Sequence, residues 1–162
     1  MNEEKLIQRD RMRFVKNSLS STLCYLGILF NVFYFVLLYQ SDVGTYYYTI
    51  QIGASIVYNL LFLLIVFLAS EGVKSYQKVY SYILLGAGAM QIVRIFAIPT
   101  AAHSATILVD GVETAVMQNS QFTLSIVYLI ISAACLVLSA VVNMSKCAAL
   151  EAHNKYLESQ NA

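Results

Sequence analysis

The sequence predicts an all-α integral membrane protein, a four-helix bundle formed as one domain by residues 1–162. Of these residues 59% are hydrophobic and 12% are charged, whereas a soluble domain carries roughly 25% charge. Four apolar runs are each about 20 residues long, the length that crosses about 30 Å of hydrocarbon. Small or polar residues recur along every run at helical spacing, which is typical of membrane helices that pack together.

The chain begins with a mixed-charge segment, residues 2–17, which we predict to be a short amphipathic helix. Four of its five basic residues share one stripe at i, i+4 and i+3 spacing: Lys5, Arg9, Arg13 and Lys16. Such a stripe suits anionic lipid head groups, at roughly 1 kcal/mol per basic residue, and it also serves as an ordinary topology signal. Acidic residues interrupt the stripe, so we expect no nucleic-acid partner.

The first two spans are predicted at residues 19–39 and 49–70. The first is too long for a signal-peptide core, and Gln40-Ser41-Asp42 has no small-residue cleavage site, so we expect a retained anchor. The triplet Tyr46, Tyr47 and Tyr48 precedes the second span and is typical of the aromatic belt at a membrane interface.

The third span is predicted at residues 79–98, with Pro99 ending the helix because proline cannot continue one. The loop that follows contains two short apolar runs around Asp110-Gly111, which predicts a hairpin with a two-residue turn. The fourth span is predicted at residues 122–143. A helical tail should continue over 144–158, where Glu151 and Lys155 form a favourable i, i+4 pair.

The basic residues predict the orientation of the bundle. All Lys and Arg residues except Arg94 lie in the N-terminal segment, the loop between the second and third spans, or the tail. The other two loops contain only acidic charges: Asp42, Asp110 and Glu113. The positive-inside rule therefore places both termini in the cytoplasm. We expect a multi-pass protein of the plasma membrane, from a bacterium.

Arg94 is the one basic residue inside an apolar run, and it predicts a polar layer within the bundle. At 1.5 Å per residue it lies about 22 Å from the cytoplasmic end of its span, in the outer third of the hydrocarbon. The same counting brings amide and hydroxyl side chains from all four spans close to that depth: Asn31, Gln51, Asn59, Gln91 and Tyr128.

Two roles for this layer follow from the cost of a buried arginine. Arg costs roughly 2.5–3.5 kcal/mol at a helix centre, so its guanidinium needs partners. Arg94 either locks the bundle or snorkels outward to Asp42, Asp110 or Glu113, which are structural roles. The alternative is a functional polar pocket that opens to the outside.

Several chemistries lack their residues in this sequence, so we expect no enzyme, no cofactor and no metal. His103 and His153 lie outside the spans and cannot form a membrane haem-ligand pair. Cys24, Cys135 and Cys147 form no C-x-x-C motif and are expected to be packing residues. The loop residues His103, Asp110 and Glu113 are too scattered to favour a metal site.

Three functions are compatible with these features. The first is a non-catalytic accessory or assembly subunit that packs against a larger membrane partner or against itself in the lipid bilayer. The second is a small oligomeric transporter or channel in which the Arg94 layer binds an anion or a polar solute. The third is a membrane enzyme acting on lipid or quinone, with Tyr128 as the titratable group.

Overall fold

The computed structural model describes residues 14–39, 46–109 and 111–161. It contains four helices and one hairpin, in the order α1 (Ser18–Tyr39), α2 (Tyr46–Lys74), α3 (Lys78–Ser104), β1 (Thr106–Val109), β2 (Val112–Ala115) and α4 (Asn119–Asn161). All four helices are long and apolar enough to cross a membrane. The prediction of four helices long and apolar enough to span a membrane is therefore confirmed.

The predicted N-terminal amphipathic helix falls mainly outside the described residues. Lys5, Arg9 and Arg13 lie outside the described residues, whereas Lys16 is described and is exposed. Residues 14–17 are not helical but form a turn before α1. Asn17 caps α1, because its Oδ1 accepts a 3.4 Å hydrogen bond from the amide of Ser20. The side chains of the Tyr46–Tyr48 triplet also lie outside the described part.

The four helices form a closed ring in which each packs against two neighbours. α4 contacts α1 and α3, and α2 contacts the same two helices from the opposite side. Glycines allow close approach to α4: a Cβ added at Gly27 or Gly88 would lie 3.0 Å from Leu136 or Val137 respectively. Small residues at such positions let membrane helices pack at short distance.

Two hydrophobic clusters fill the interior at different levels. One lies toward the α2–α3 turn and includes Phe62, Val66, Leu84 and Leu136. The other lies toward the hairpin and includes Tyr34, Leu38, Met117 and Leu129. The outer surface exposes large apolar side chains such as Leu60, Leu64, Phe67 and Phe96, as expected for a surface that faces lipid.

The expectation that Pro99 ends the third helix is wrong, because α3 continues through it to Ser104. Proline removes the amide that would bond the carbonyl four residues earlier. Here the hydroxyl of Thr100 donates to that carbonyl, on Ile95, at 3.0 Å. A side-chain hydroxyl thus replaces the missing backbone donor, and the helix extends to the hairpin.

The hairpin is confirmed, with Val109 paired to Val112 across a two-residue turn. Gly111 has φ +81, a value that favours glycine. His103 stacks on Phe122 at 4.5 Å between ring centroids. No cluster of three or more His, Cys, Asp or Glu side chains lies among the described residues, and Asp110 is outside them.

The tail is an uninterrupted continuation of α4 to Asn161, beyond the predicted end at residue 158. The expected pairing within the tail is wrong: Glu151 forms its ion pair with Lys78 of α3 rather than with Lys155. Because α3 and α4 pack side by side, the start of α3 brings Lys78 next to Glu151.

Candidate functional site

Arg94 lies in the interior of the bundle and is only 5% exposed. Its Nη1 donates to Oδ1 of Asn31 at 3.1 Å and to Oδ1 of Asn59 at 2.9 Å. Its Nη2 donates to Oγ of Ser55 at 3.0 Å. One guanidinium on α3 is therefore bonded to α1 through Asn31 and to α2 through Asn59 and Ser55.

Gln91, one turn before Arg94, extends these contacts to α4. Its Nε2 donates to Oδ1 of Asn31 at 2.9 Å and to Oγ of Ser132 at 3.3 Å. Ser132 in turn donates to the carbonyl of Gly27 at 2.8 Å. All four helices thus meet in a set of six residues, the Arg94 network: Asn31, Ser55, Asn59, Gln91, Arg94 and Ser132.

Two tyrosine rings lie against the guanidinium. The Cζ atom of Arg94 is 4.4 Å from the ring centroid of Tyr34 and 4.8 Å from that of Tyr58. Both distances fall within the range of a cation–π contact, which is stronger when the pair is shielded from water. The guanidinium is therefore contacted by amide oxygens, a hydroxyl and two aromatic faces, all of which are neutral groups.

The structure brings together four of the six residues placed in the polar layer: Asn31, Asn59, Gln91 and Arg94. Gln51 is exposed and lines the cavity beside Arg94. Tyr128 lies apart from the network, with its ring packed on Phe30 and Phe33 at centroid distances of 6.2 and 5.8 Å.

Sequence reasoning omitted Ser55, Ser132, Tyr34 and Tyr58 from the layer. Helical spacing carried the signal for three of them. Tyr34 follows Asn31 by three residues, Ser55 precedes Asn59 by four, and Tyr58 follows Gln51 by seven, so each shares a helix face with a residue already chosen. For Ser132 the only signal was the polar stripe of α4.

The described residues provide no carboxylate for Arg94. Glu113 lies exposed in β2 and forms no ion pair with it; Asp42 and Asp110, the other snorkelling partners considered, lie outside the described residues. Two buried polar atoms of the network have no hydrogen-bond partner in the described part of the chain: Nε of Arg94 and Oε1 of Gln91. The site therefore has hydrogen-bonding capacity and positive charge left over.

A cavity of about 370 Å³ adjoins Arg94 between α2 and α3. Gln51, Ser55, Tyr58 and Arg94 provide its polar lining, and Ala54, Met90, Val93, Ala97 and Ile98 complete it. Ligand pockets commonly measure about 300–1,000 Å³ and combine apolar walls with a few placed polar groups. This cavity meets both descriptions.

A second buried polar cluster lies at the other end of the bundle. The Nδ2 of Asn17 donates to Oδ1 of Asn143 at 2.9 Å, and Nδ2 of Asn143 donates to Oγ of Ser81 at 2.8 Å. Nearby, Ser139 donates to the carbonyl of Ser20 at 2.7 Å. These bonds join α1, α3 and α4, so the role of this cluster is to hold the helices of the bundle together.

Comparison of the chain with protein-family models, with curated proteins and with solved structures found no match. The contacts of the Arg94 network provide amide donors and acceptors, two hydroxyls, one positive charge and two aromatic faces. These groups are suited to binding a polar or anionic ligand and to holding helices together.

Proposed function

We propose that this chain is a non-catalytic membrane subunit that assembles with a larger membrane partner or with further copies of itself. The observation that carries the proposal is the length of α4. Its 43 residues extend about 65 Å at 1.5 Å per residue, about twice the thickness of the hydrocarbon core. A projecting helix on so small a protein supplies a surface for docking.

The contacts of α4 support this interpretation. Near the α2–α3 turn the helix is held by Cys147, which donates to the carbonyl of Tyr76 at 3.0 Å, and by His153, whose ring stacks on Phe14 at 5.4 Å. Beyond that point Tyr156 and Leu157 are 59% and 43% exposed. Apolar side chains exposed near the end of this long helix support association with another protein.

Under this proposal the four-helix bundle spans the plasma membrane and the projecting end of α4 lies in the cytoplasm. The start of α1 and the α2–α3 turn lie at the same end of the bundle, since the amide of Asn17 donates to the carbonyl of Lys74 at 3.0 Å. Basic residues concentrate at this end and in the tail, which is the pattern of a cytoplasmic face.

Photo-crosslinking tests the proposal. A photoreactive residue at Leu157 should capture one defined protein, either a second copy or a discrete membrane partner, while the same probe at exposed Ala152, on another face of α4, serves as the control. Mass spectrometry identifies the product. A chain that is monomeric in mild detergent and crosslinks to nothing at either position would refute the proposal.

The cavity beside Arg94 favours a second candidate, a small oligomeric transporter of an anion or polar solute. Hydrophobic clusters lie above and below the Arg94 network, so a path through one bundle would have to cross them, and a route between copies is required instead. Flux of a test anion into liposomes, abolished by Arg94→Ala, would support this candidate. Purified protein that gives no flux at any protein density would exclude it.

A further inference from the structure

The seam between α2 and α3 differs from the other helix contacts. These two helices approach closely near their connecting turn, where a Cβ added to Gly72 would overlap the ring of Tyr80. Farther along, two cavities open between these helices, over the part of the seam that contains Arg94.

Two cavities occupy this space in line. The one beside Arg94 measures about 370 Å³, and the next, toward the α2–α3 turn, measures about 350 Å³. They share Tyr58 and Met90 as lining residues. We call the two together the α2–α3 groove. Its sides include exposed Leu61 and Met90, so it opens to the lipid-facing surface.

The groove is polar at one end and apolar at the other. At the polar end lies Arg94, which is 5% exposed, has an unpartnered Nε and contacts no carboxylate among the described residues. At the other end the lining is formed by Leu61, Phe62, Ile65, Ile83 and Ala87, together with the shared pair. A cation in a water-poor site favours an anionic oxygen, because the low dielectric strengthens their attraction.

We propose that the α2–α3 groove binds a long-chain fatty acid, with its carboxylate at Arg94 and its acyl chain along the apolar end. The carboxylate supplies the negative charge that the described partners of Arg94 lack, and bonds between guanidinium and carboxylate are among the strong hydrogen bonds of proteins. The inference is independent of whether the chain assembles with a partner.

The depth of Arg94 decides between lipid classes. α3 has 27 residues, about 40 Å at 1.5 Å per residue, and Arg94 lies about 15 Å from its end at Ser104 by the same rise. With α3 centred on a core of about 30 Å, the guanidinium lies about 10 Å inside the hydrocarbon. A single carboxylate can descend that far at modest cost. A phospholipid would have to bring its whole head group to that depth and place a second acyl chain. The groove consists of two cavities in a single line, which is space for one chain.

The chain contains no Trp, so one introduced Trp reports on a single position. Leu61→Trp places the fluorophore at the apolar end of the groove. The control is Ile130→Trp, which lines a cavity of about 370 Å³ between α3 and α4 that has apolar walls and no charged residue. Both proteins are reconstituted in phosphatidylcholine and titrated with 9,10-dibromostearic acid, whose bromines quench Trp on contact.

We expect half-quenching of Leu61→Trp at an acid fraction about tenfold below that needed for Ile130→Trp, the factor that one charge-assisted hydrogen bond contributes. The corresponding dibromo alcohol should quench both proteins alike. Arg94→Gln should remove the tenfold difference. Because that variant disturbs the network, Ala54→Phe provides a second test: it fills the cavity from an exposed lining position and should also remove the difference.

Equal quenching of the two Trp positions by the acid would overturn the proposal. So would equal preference for the acid and the alcohol at Leu61→Trp, or an unchanged preference in Ala54→Phe. Dibromo-phosphatidylglycerol that quenches Leu61→Trp at a lower fraction than the fatty acid would assign the groove to an anionic phospholipid and refute the single-chain ligand.

Discussion

The Nη1 atom of Arg94 lies 2.9 Å from Oδ1 of Asn59, and this bond ties the third helix to the second across the interior of the bundle. Asn59 is itself oriented from behind, since its Nδ2 donates to the carbonyl of Ser55 at 2.8 Å. The acceptor oxygen therefore faces the guanidinium in a fixed position, which makes the pair a suitable place to measure how strongly the network holds the helices.

A double-mutant cycle on Arg94→Met and Asn59→Leu should reveal this coupling. Each single change removes this bond while the other residue stays buried with its remaining partners, and we expect each to lower the free energy of unfolding by about 1–2 kcal/mol. The double variant should lose less than the sum, with a coupling of about 0.5–2 kcal/mol. Steric trapping in bicelles provides the unfolding free energies. If the two single changes in free energy add up to that of the double variant, the bond contributes nothing to stability.

Two glycines on α3 offer a matched test of helix packing. Gly88→Leu must displace Val137, which a Cβ there would approach to 3.0 Å, and should destabilise the bundle by about 1–3 kcal/mol. Gly86→Leu adds the same side chain where no atom lies within 4 Å. It should be neutral or stabilising by up to about 1 kcal/mol, because leucine favours the helix. Similar melting temperatures for the two variants would contradict the α3–α4 contact.

The hydroxyl of Thr100 should matter only while Pro99 is present. Thr100→Val removes the donor to the Ile95 carbonyl and should cost about 0.5–1.5 kcal/mol. In a Pro99→Ala background the restored backbone amide takes over, so the same substitution should have little effect. Unfolding measurements on the four proteins decide this. An equal cost in both backgrounds would mean that the hydroxyl does not replace the proline's missing donor.

The Lys78–Glu151 ion pair should hold the first part of the tail against the bundle. It is a surface pair, so we expect Glu151→Gln to change the free energy of unfolding only slightly, and we expect that effect to vanish at about 1 M salt. Hydrogen exchange over residues 148–158 should rise in that variant. Lys155→Gln serves as the control and should leave hydrogen exchange unchanged. If exchange rises in Lys155→Gln as much as in Glu151→Gln, Glu151 pairs with Lys155 within the tail instead.

Much of the site was predictable because a charge in hydrocarbon leaves few arrangements. Arg94 had either to meet polar groups inside the bundle or to snorkel outward. For the first case the available groups were amides at similar depth on neighbouring spans, which selected Asn31, Asn59 and Gln91. Periodicity gives the polar face of a helix but not its rotation in the bundle. In α4 this rotation directs Ser132 at Gln91 and leaves Tyr128 against Phe30 and Phe33.

The other differences between expectation and structure arise where a local rule is overruled by a contact. Pro99 is a helix breaker by local rules, but the following Thr100 supplies the hydrogen bond that proline removes. Glu151 and Lys155 have ideal spacing for a pair along one helix, yet the packing of α3 on α4 brings Lys78 to the same carboxylate. Distant partners of this kind are not encoded in a short window of sequence.

The unbroken course of α4 makes it a lever. From Ser132, which accepts a hydrogen bond from Gln91, to Asn161 the rod measures about 43 Å at 1.5 Å per residue. A tilt of about 5° at its inner end therefore displaces its outer end by about 4 Å by the same rise. A change at the Gln91–Ser132 contact that tilts α4 therefore moves the far end of the helix much farther than the contact itself.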